Sequence, residues 1–178
     1  MSSPPTPYNL LPRKGFTLIE LIIYLAVISG TVVSFTYFIL SVSNSRTKTY
    51  VAQEVHANGR TALEIISQRI RASNGVVSVT PSVLTLDFST VDPAKHPTAI
   101  DRDTNNALRI TEDTDGTPVA SILTSSEVKV TNLVFTNVTA AGTRENIRVN
   151  MTIEYNAPAG SQPFNYSKSF TTAVSVRQ

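Results

Sequence analysis

Between Phe16 and Leu40 the chain carries a single side chain that is charged at neutral pH, Glu20. A run of this length can cross a hydrocarbon core, which takes ~20 apolar residues. It reads as a membrane-spanning helix with one carboxylate near its start, and the rest of the chain as something carried by that helix. A carboxylate in this zone costs ~2.5–3.5 kcal/mol on insertion scales, so a bare anchor is expected to lack one. Two readings follow for Glu20: it snorkels to the headgroups from one turn inside the helix, or it makes an assembly contact with another helix.

Beyond the run, about 130 residues remain, enough for one compact domain. Cysteine is absent, so neither disulfides nor thiolate metal sites can hold the fold. The formal charge of +2 comes from Arg13 and Lys14, since residues 16–178 hold equal numbers of basic and acidic side chains. No strong nucleic-acid signal results. Abundant Thr, Ser, Asn and Val favour strands and polar turns over a helical bundle.

Residues 1–15 form a polar leader whose prolines, Pro4, Pro5, Pro7 and Pro12, disfavour a helix. From Phe16 one helix is expected to reach about Ser73. Residues 16–42 form its transmembrane half and residues 43–75 its amphipathic half with the stop that follows. In the second half Val51, Val55, Ala62, Ile66 and Ile70 recur at helical spacing, and Leu63 and Ile65 widen the stripe. Asn74-Gly75 supplies a stop, because both residues tolerate the left-handed conformation of a C-cap. Arg69 and Arg71 suit the negative end of the helix dipole.

Residues 76–178 read as strands. Val76–Thr80 and Val83–Phe88 flank a Thr-Pro-Ser turn, and Ala107–Thr111 and Val119–Thr124 flank a turn at Asp113–Pro118. Val128–Thr136 is extended, and in Ile147–Tyr155 apolar and polar residues alternate. A turn at Pro158–Ser161 leads to Phe164–Val176, closing a terminal hairpin. The expected fold is α+β: one long N-terminal helix whose amphipathic half covers a mostly antiparallel sheet.

Lys14-Gly15-Phe16-Thr17-Leu18-Ile19-Glu20-Leu21 resembles the cleavage and methylation signal of type IV pilins and of the pseudopilins of type II secretion and competence systems. The resemblance implies a pilin-like fold and cleavage after Gly15 by a prepilin peptidase, which methylates the new terminus at Phe16. It also implies that Glu20 pairs with the Phe16 amine of a neighbouring pilin or pseudopilin subunit. The implied partners are the peptidase, other subunits, an inner-membrane assembly platform and the lipid bilayer. Arg13 and Lys14 hold the leader in the cytoplasm by the positive-inside rule, which puts the C-terminal domain outside it, at the cell surface or in the periplasm. The two terminal strands are similar to the ends of minor pilins of the J or W type. The proline that bends this helix in many relatives is missing, and Ser29-Gly30-Thr31 with Ser34 is the nearest weak point.

No phosphate-binding loop, dinucleotide fingerprint or nucleophile elbow occurs. With His56 and His96 as the only histidines and no cysteine, a nucleophilic triad is hard to assemble, and no enzyme is expected. Asp101, Asp103, Asn105 and Glu112 occupy the first, third, fifth and twelfth positions of a calcium-loop pattern, with Asn106 in place of the usual glycine. The alternative is a solvated Asp/Asn turn entering a strand. Apart from calcium at this loop, no cofactor is expected. Two rivals stand beside a structural filament subunit: a DNA-uptake or adhesion pilin acting as a binding module, and a single-pass anchored extracytoplasmic domain outside any filament.

Overall fold

The computed structural model describes residues 15–114, 116–157 and 165–177. Its contacts divide the chain into two compact units, Met1–Ser45 and Arg46–Gln178. Helix α1 (Leu18–Ala72) contributes residues to both. Arg13, Lys14, the turn at 158–161 and Phe164 lie outside the described residues.

In the first unit α1 starts at a capping sequence. The Thr17 hydroxyl accepts the Glu20 N–H at 3.3 Å, and the Thr17 carbonyl accepts the Leu21 N–H at 3.2 Å. Thr17 thus satisfies an N–H that the first turn leaves without an intrahelical partner. The helix stays unbroken through Ser29-Gly30-Thr31. There the hydroxyls of Thr31, Ser34 and Thr36 donate to the carbonyls of Val27, Gly30 and Val32 at 2.8, 2.9 and 2.9 Å. Such back-bonding keeps polar side chains satisfied where no water can reach them. This is the one described helix long and apolar enough to cross a membrane.

The second unit holds the core. Its part of α1 buries Val51, Val55, Gly59, Ala62, Ile66, Ser67 and Ile70, so the expected stripe faces inward and Gly59 fills its gap. Leu63 and Ile65 pack at its margin, half-buried. Ser73 ends the helix by donating its N–H to the Arg69 carbonyl at 3.0 Å and its hydroxyl to the Ile70 carbonyl at 2.8 Å. The expected left-handed cap does not form, because Asn106 is the one described non-glycine residue with positive φ and Gly75 is not among the positive-φ glycines. Asn74 instead donates its N–H to the Asp87 carbonyl at 2.8 Å, joining the next strand pair directly.

Eight strands follow: β1 (Gly75–Val79), β2 (Leu84–Asp87), β3 (Thr98–Arg102), β4 (Leu108–Thr114), β5 (Thr117–Ile122), β6 (Val128–Asn137), β7 (Asn146–Tyr155) and β8 (Ser167–Ser175). They form two antiparallel sheets, β1-β2-β3-β4-β5 and β6-β7-β8, where the sequence led us to expect one. Strand β3 is also additional to the expected set. The division arises at the outer edge of β6. There the Val130 N–H goes to the Asn106 carbonyl at 2.7 Å and the Phe135 N–H to the Pro81 carbonyl at 3.1 Å. Arg102 Nη1 donates to the carbonyls of Val130 and Thr131 at 3.2 and 3.0 Å, and a register shift falls between Val130 and Asn132. Turns and one guanidinium thus occupy the groups that a strand ladder would have used.

Both sheets turn their apolar faces to the helix stripe. Leu84, Leu86, Phe88, Ile100, Leu108 and Ile110 come from the first sheet and its flanks, and Val130, Phe135, Ile147, Val149, Met151, Ile153 and Val174 from the second. Arg69 in the last turn of α1 makes an ion pair with Glu112 of β4 at 2.9 Å, so its role extends beyond the helix dipole.

Candidate functional site

The residues singled out by the N-terminal pattern form a strip along one helix face. Glu20 and Tyr24, four apart, stack on consecutive turns of α1, and Phe16 stands just before the helix begins. The Tyr24 hydroxyl donates to Glu20 Oε1 at 3.2 Å, and the Phe16 and Tyr24 rings meet edge to face with centroids 6.1 Å apart. Glu20 is half-buried between them while the residues around it, from Gly15 to Ser41, are exposed. Oε2 of Glu20 has no hydrogen-bond partner among the described residues. A carboxylate with one oxygen held and one open can accept a charge-assisted hydrogen bond from a cation. Gly15 and Phe16 precede the helix outside any regular element, and apart from the adjoining residues no heavy atom lies within 4 Å of where a Cβ on Gly15 would stand.

Tyr24 joins this strip through a contact that the cleavage pattern does not announce. Its spacing of four from Glu20 was the available signal, since tyrosine and glutamate at that interval meet on a helix.

The four residues of the calcium-loop pattern are not brought together. Asp101 stands opposite Arg109 in the β3–β4 register, and Arg109 donates to both its oxygens, Nε at 2.9 Å and Nη2 at 2.5 Å. This pairing holds the Arg109 guanidinium above its ordinary pKa, chiefly through the hydrogen bond to Asp101. Glu112 stands opposite Thr98 and in line with Ile110, on the other face of the sheet. Asp103 Oδ1 accepts the N–H groups of Asn105 and Ala107 at 2.9 and 2.7 Å, and Asn106 takes a φ of 62°. The segment is therefore a hairpin turn closed by Asp103, with two of the proposed ligands on opposite sheet faces. Among the described residues no group of three or more His, Asp and Glu side chains could hold a metal ion.

A polar clamp that no spacing in the chain signals ties α1 to the β5–β6 connection. Glu54 Oε1 accepts from Asn58 Nδ2 at 2.8 Å and from the Ser125 hydroxyl at 2.9 Å. Asn58 Oδ1 accepts the Ser125 N–H at 2.8 Å. Nearby, Tyr155 donates to Glu127 at 3.1 Å; burial and then this bond push the Tyr155 phenol above its ordinary pKa. His56 Nε2 lies 2.9 Å from the Tyr166 hydroxyl, and its ring meets Phe170 edge to face, a packed histidine between α1 and β8.

The prokaryotic N-terminal methylation motif matches residues 11–29 of this chain. It spans the whole Gly15–Phe16–Glu20–Tyr24 strip and supports a type IV pilin-like family. The motif implies a substrate of prepilin peptidase of the pilin or pseudopilin kind, and with it assembly with other pilins. An apolar helix near the N-terminus suggests single-pass membrane anchoring, as in pilins. Neither the curated proteins nor the solved structures yield a match to the chain.

Proposed function

We propose that this chain is a minor pilin or pseudopilin, a structural subunit with no enzymatic activity, taken from the membrane into a helical filament. Cleavage after Gly15 removes the charged leader and frees the Phe16 amine, while the apolar helix stays in the bilayer with the leader side in the cytoplasm. The subunit leaves the membrane when the amine of one copy meets the Glu20 carboxylate of its neighbour. Low dielectric strengthens such a pair and penalises misregister, so it sets axial stagger. The observation that carries this reading is the half-buried Glu20, held on one oxygen by Tyr24 and lying within the methylation motif.

Mass spectrometry of the mature N-terminus from sheared filaments tests cleavage, methylation and filament membership together. Gly15→Ala is expected to leave the leader attached, whereas Glu20→Ala protein is processed normally but missing from the sheared fraction. Normal amounts of Glu20→Ala protein in filaments would sink the assembly role. That result would favour a single-pass anchored domain instead.

A further inference from the structure

A β-sheet ends in strands whose outward N–H and C=O groups invite another strand unless something guards them. The two sheets present four such edges, and three are closed or interrupted. At β6, Asn106, Pro81 and Arg102 occupy the outward groups. At β1 a register shift falls between Val76 and Ser78, and the Val76 N–H goes to Glu145 at 2.8 Å. At β5 the Leu123 N–H donates to the Leu108 carbonyl; counting back by the two-residue alternation of the ladder turns the Pro118 nitrogen outward, where it has no proton to donate.

At the fourth edge, β8, none of these devices occurs among the described residues. Tyr155 N–H bonds the Tyr166 carbonyl and Val176 N–H bonds the Glu145 carbonyl, so even-numbered residues of β8 face β7 and odd-numbered ones face outward. Ser167, Ser169, Thr171, Ala173 and Ser175 therefore point their backbone groups away from the sheet. All five are exposed, the strand contains no proline, and its register against β7 is unbroken. Their side chains are small, leaving room for a strand laid alongside.

What lies beside this edge selects the occupant. His56 contacts Tyr166, just before β8, and Phe170 within it, and with Ala52, Ala57, Lys48 and Arg60 it lines an open groove of about 770 Å³ on α1. Lys168, opposite buried Ile153, projects on the helix-facing side of the same edge. No acidic side chain is among the described lining residues.

We propose that the β8 edge binds an extended strand of a second polypeptide, with acidic side chains on the face it turns toward the α1 groove. Main-chain hydrogen bonds to Ser169, Thr171 and Ala173 supply affinity, and Arg60 and Lys168 supply the preference for carboxylates. The inference concerns Arg46–Gln178 and holds whether or not the chain enters a filament.

The test uses the full chain in nanodiscs of zwitterionic lipid, with three fluorescent probes followed by anisotropy: a short Asp-Val alternating peptide, its Lys-Val counterpart, and oligothymidylate. The Asp-Val peptide is expected to bind about tenfold or more tightly than the Lys-Val one. Saturation should slow amide exchange at Ser169, Thr171 and Ala173 in the unaltered chain. Thr171→Pro removes an outward donor and spares the β7–β8 ladder, so it should weaken Asp-Val binding about tenfold or more. Arg60→Glu with Lys168→Glu should reverse the peptide preference. Equal binding of the two peptides overturns the proposal, as does unchanged exchange at the three amides. So does oligothymidylate binding that outcompetes the peptide and ignores Thr171→Pro, which would make the groove a nucleic-acid site. Self-association of the free chain that Thr171→Pro abolishes would make the occupant a second copy, and equally defeats it.

Discussion

At the scale of single residues, partners decide what a polar side chain does. Glu20 could be picked out from sequence because an unpaired carboxylate in an apolar run needs a reason. For Asp101 the sequence left a calcium ligand open beside a solvated turn, because spacing along the chain reveals nothing of the strand opposite, where Arg109 takes both its oxygens. Tyr155 gives a pH prediction. Burial, followed by its bond to Glu127, raises its pKa above 10.0, so the folded state favours the neutral phenol. The resulting stabilisation is full below the unfolded value and is lost as pH rises through the folded one. Melting temperatures recorded on either side of pH 10.0 should fall with rising pH, and Tyr155→Phe should flatten that fall. An identical alkaline slope in the variant would show that another group carries it.

Among the elements, α1 was the most legible and the strands the least. Its stripe announced a buried face by period alone, and Gly59 sits one turn after Val55 where that face needs a member. What the period could not say is why the member is glycine. A Cβ there would fall on the ring of Phe170 from β8, so the helix and strand approach closely enough to leave room for hydrogen only. Gly59→Ala should destabilise the fold by about 1–3 kcal/mol, read from urea unfolding. Combined with Phe170→Ala it should cost less than the sum of the two single changes, because the clash disappears with the ring. Strict additivity would mean that the two residues do not meet. The strand β3 went unread because Thr98–Arg102 is short and follows Pro93 and Pro97, which look like loop.

For the whole molecule, the sequence predicted the α+β class correctly but led to one sheet instead of two. Alternation shows which face of a strand is apolar. It does not show whether an edge meets a strand or a turn, and β6 meets turns. The hydrophobic core draws every member from Val55 onward, and the unit that holds it begins at Arg46. A chain reduced to residues 46–178 should therefore be soluble without detergent and melt in one cooperative transition by circular dichroism. A broad, non-cooperative melt would show that the core needs residues before Arg46.

The back-bonded hydroxyls of Thr31, Ser34 and Thr36 have a consequence for a subunit that changes surroundings as proposed. Their bonds lie within the helix and travel with it, so these positions can exchange lipid tails for the side chains of other helices without rewiring. Glu20 differs, since its second oxygen has no partner among the described residues to take along. Under the proposed function, transfer between the two media becomes an electrostatic decision made at one atom, and the hydroxyl-bearing turns beyond it follow as passengers.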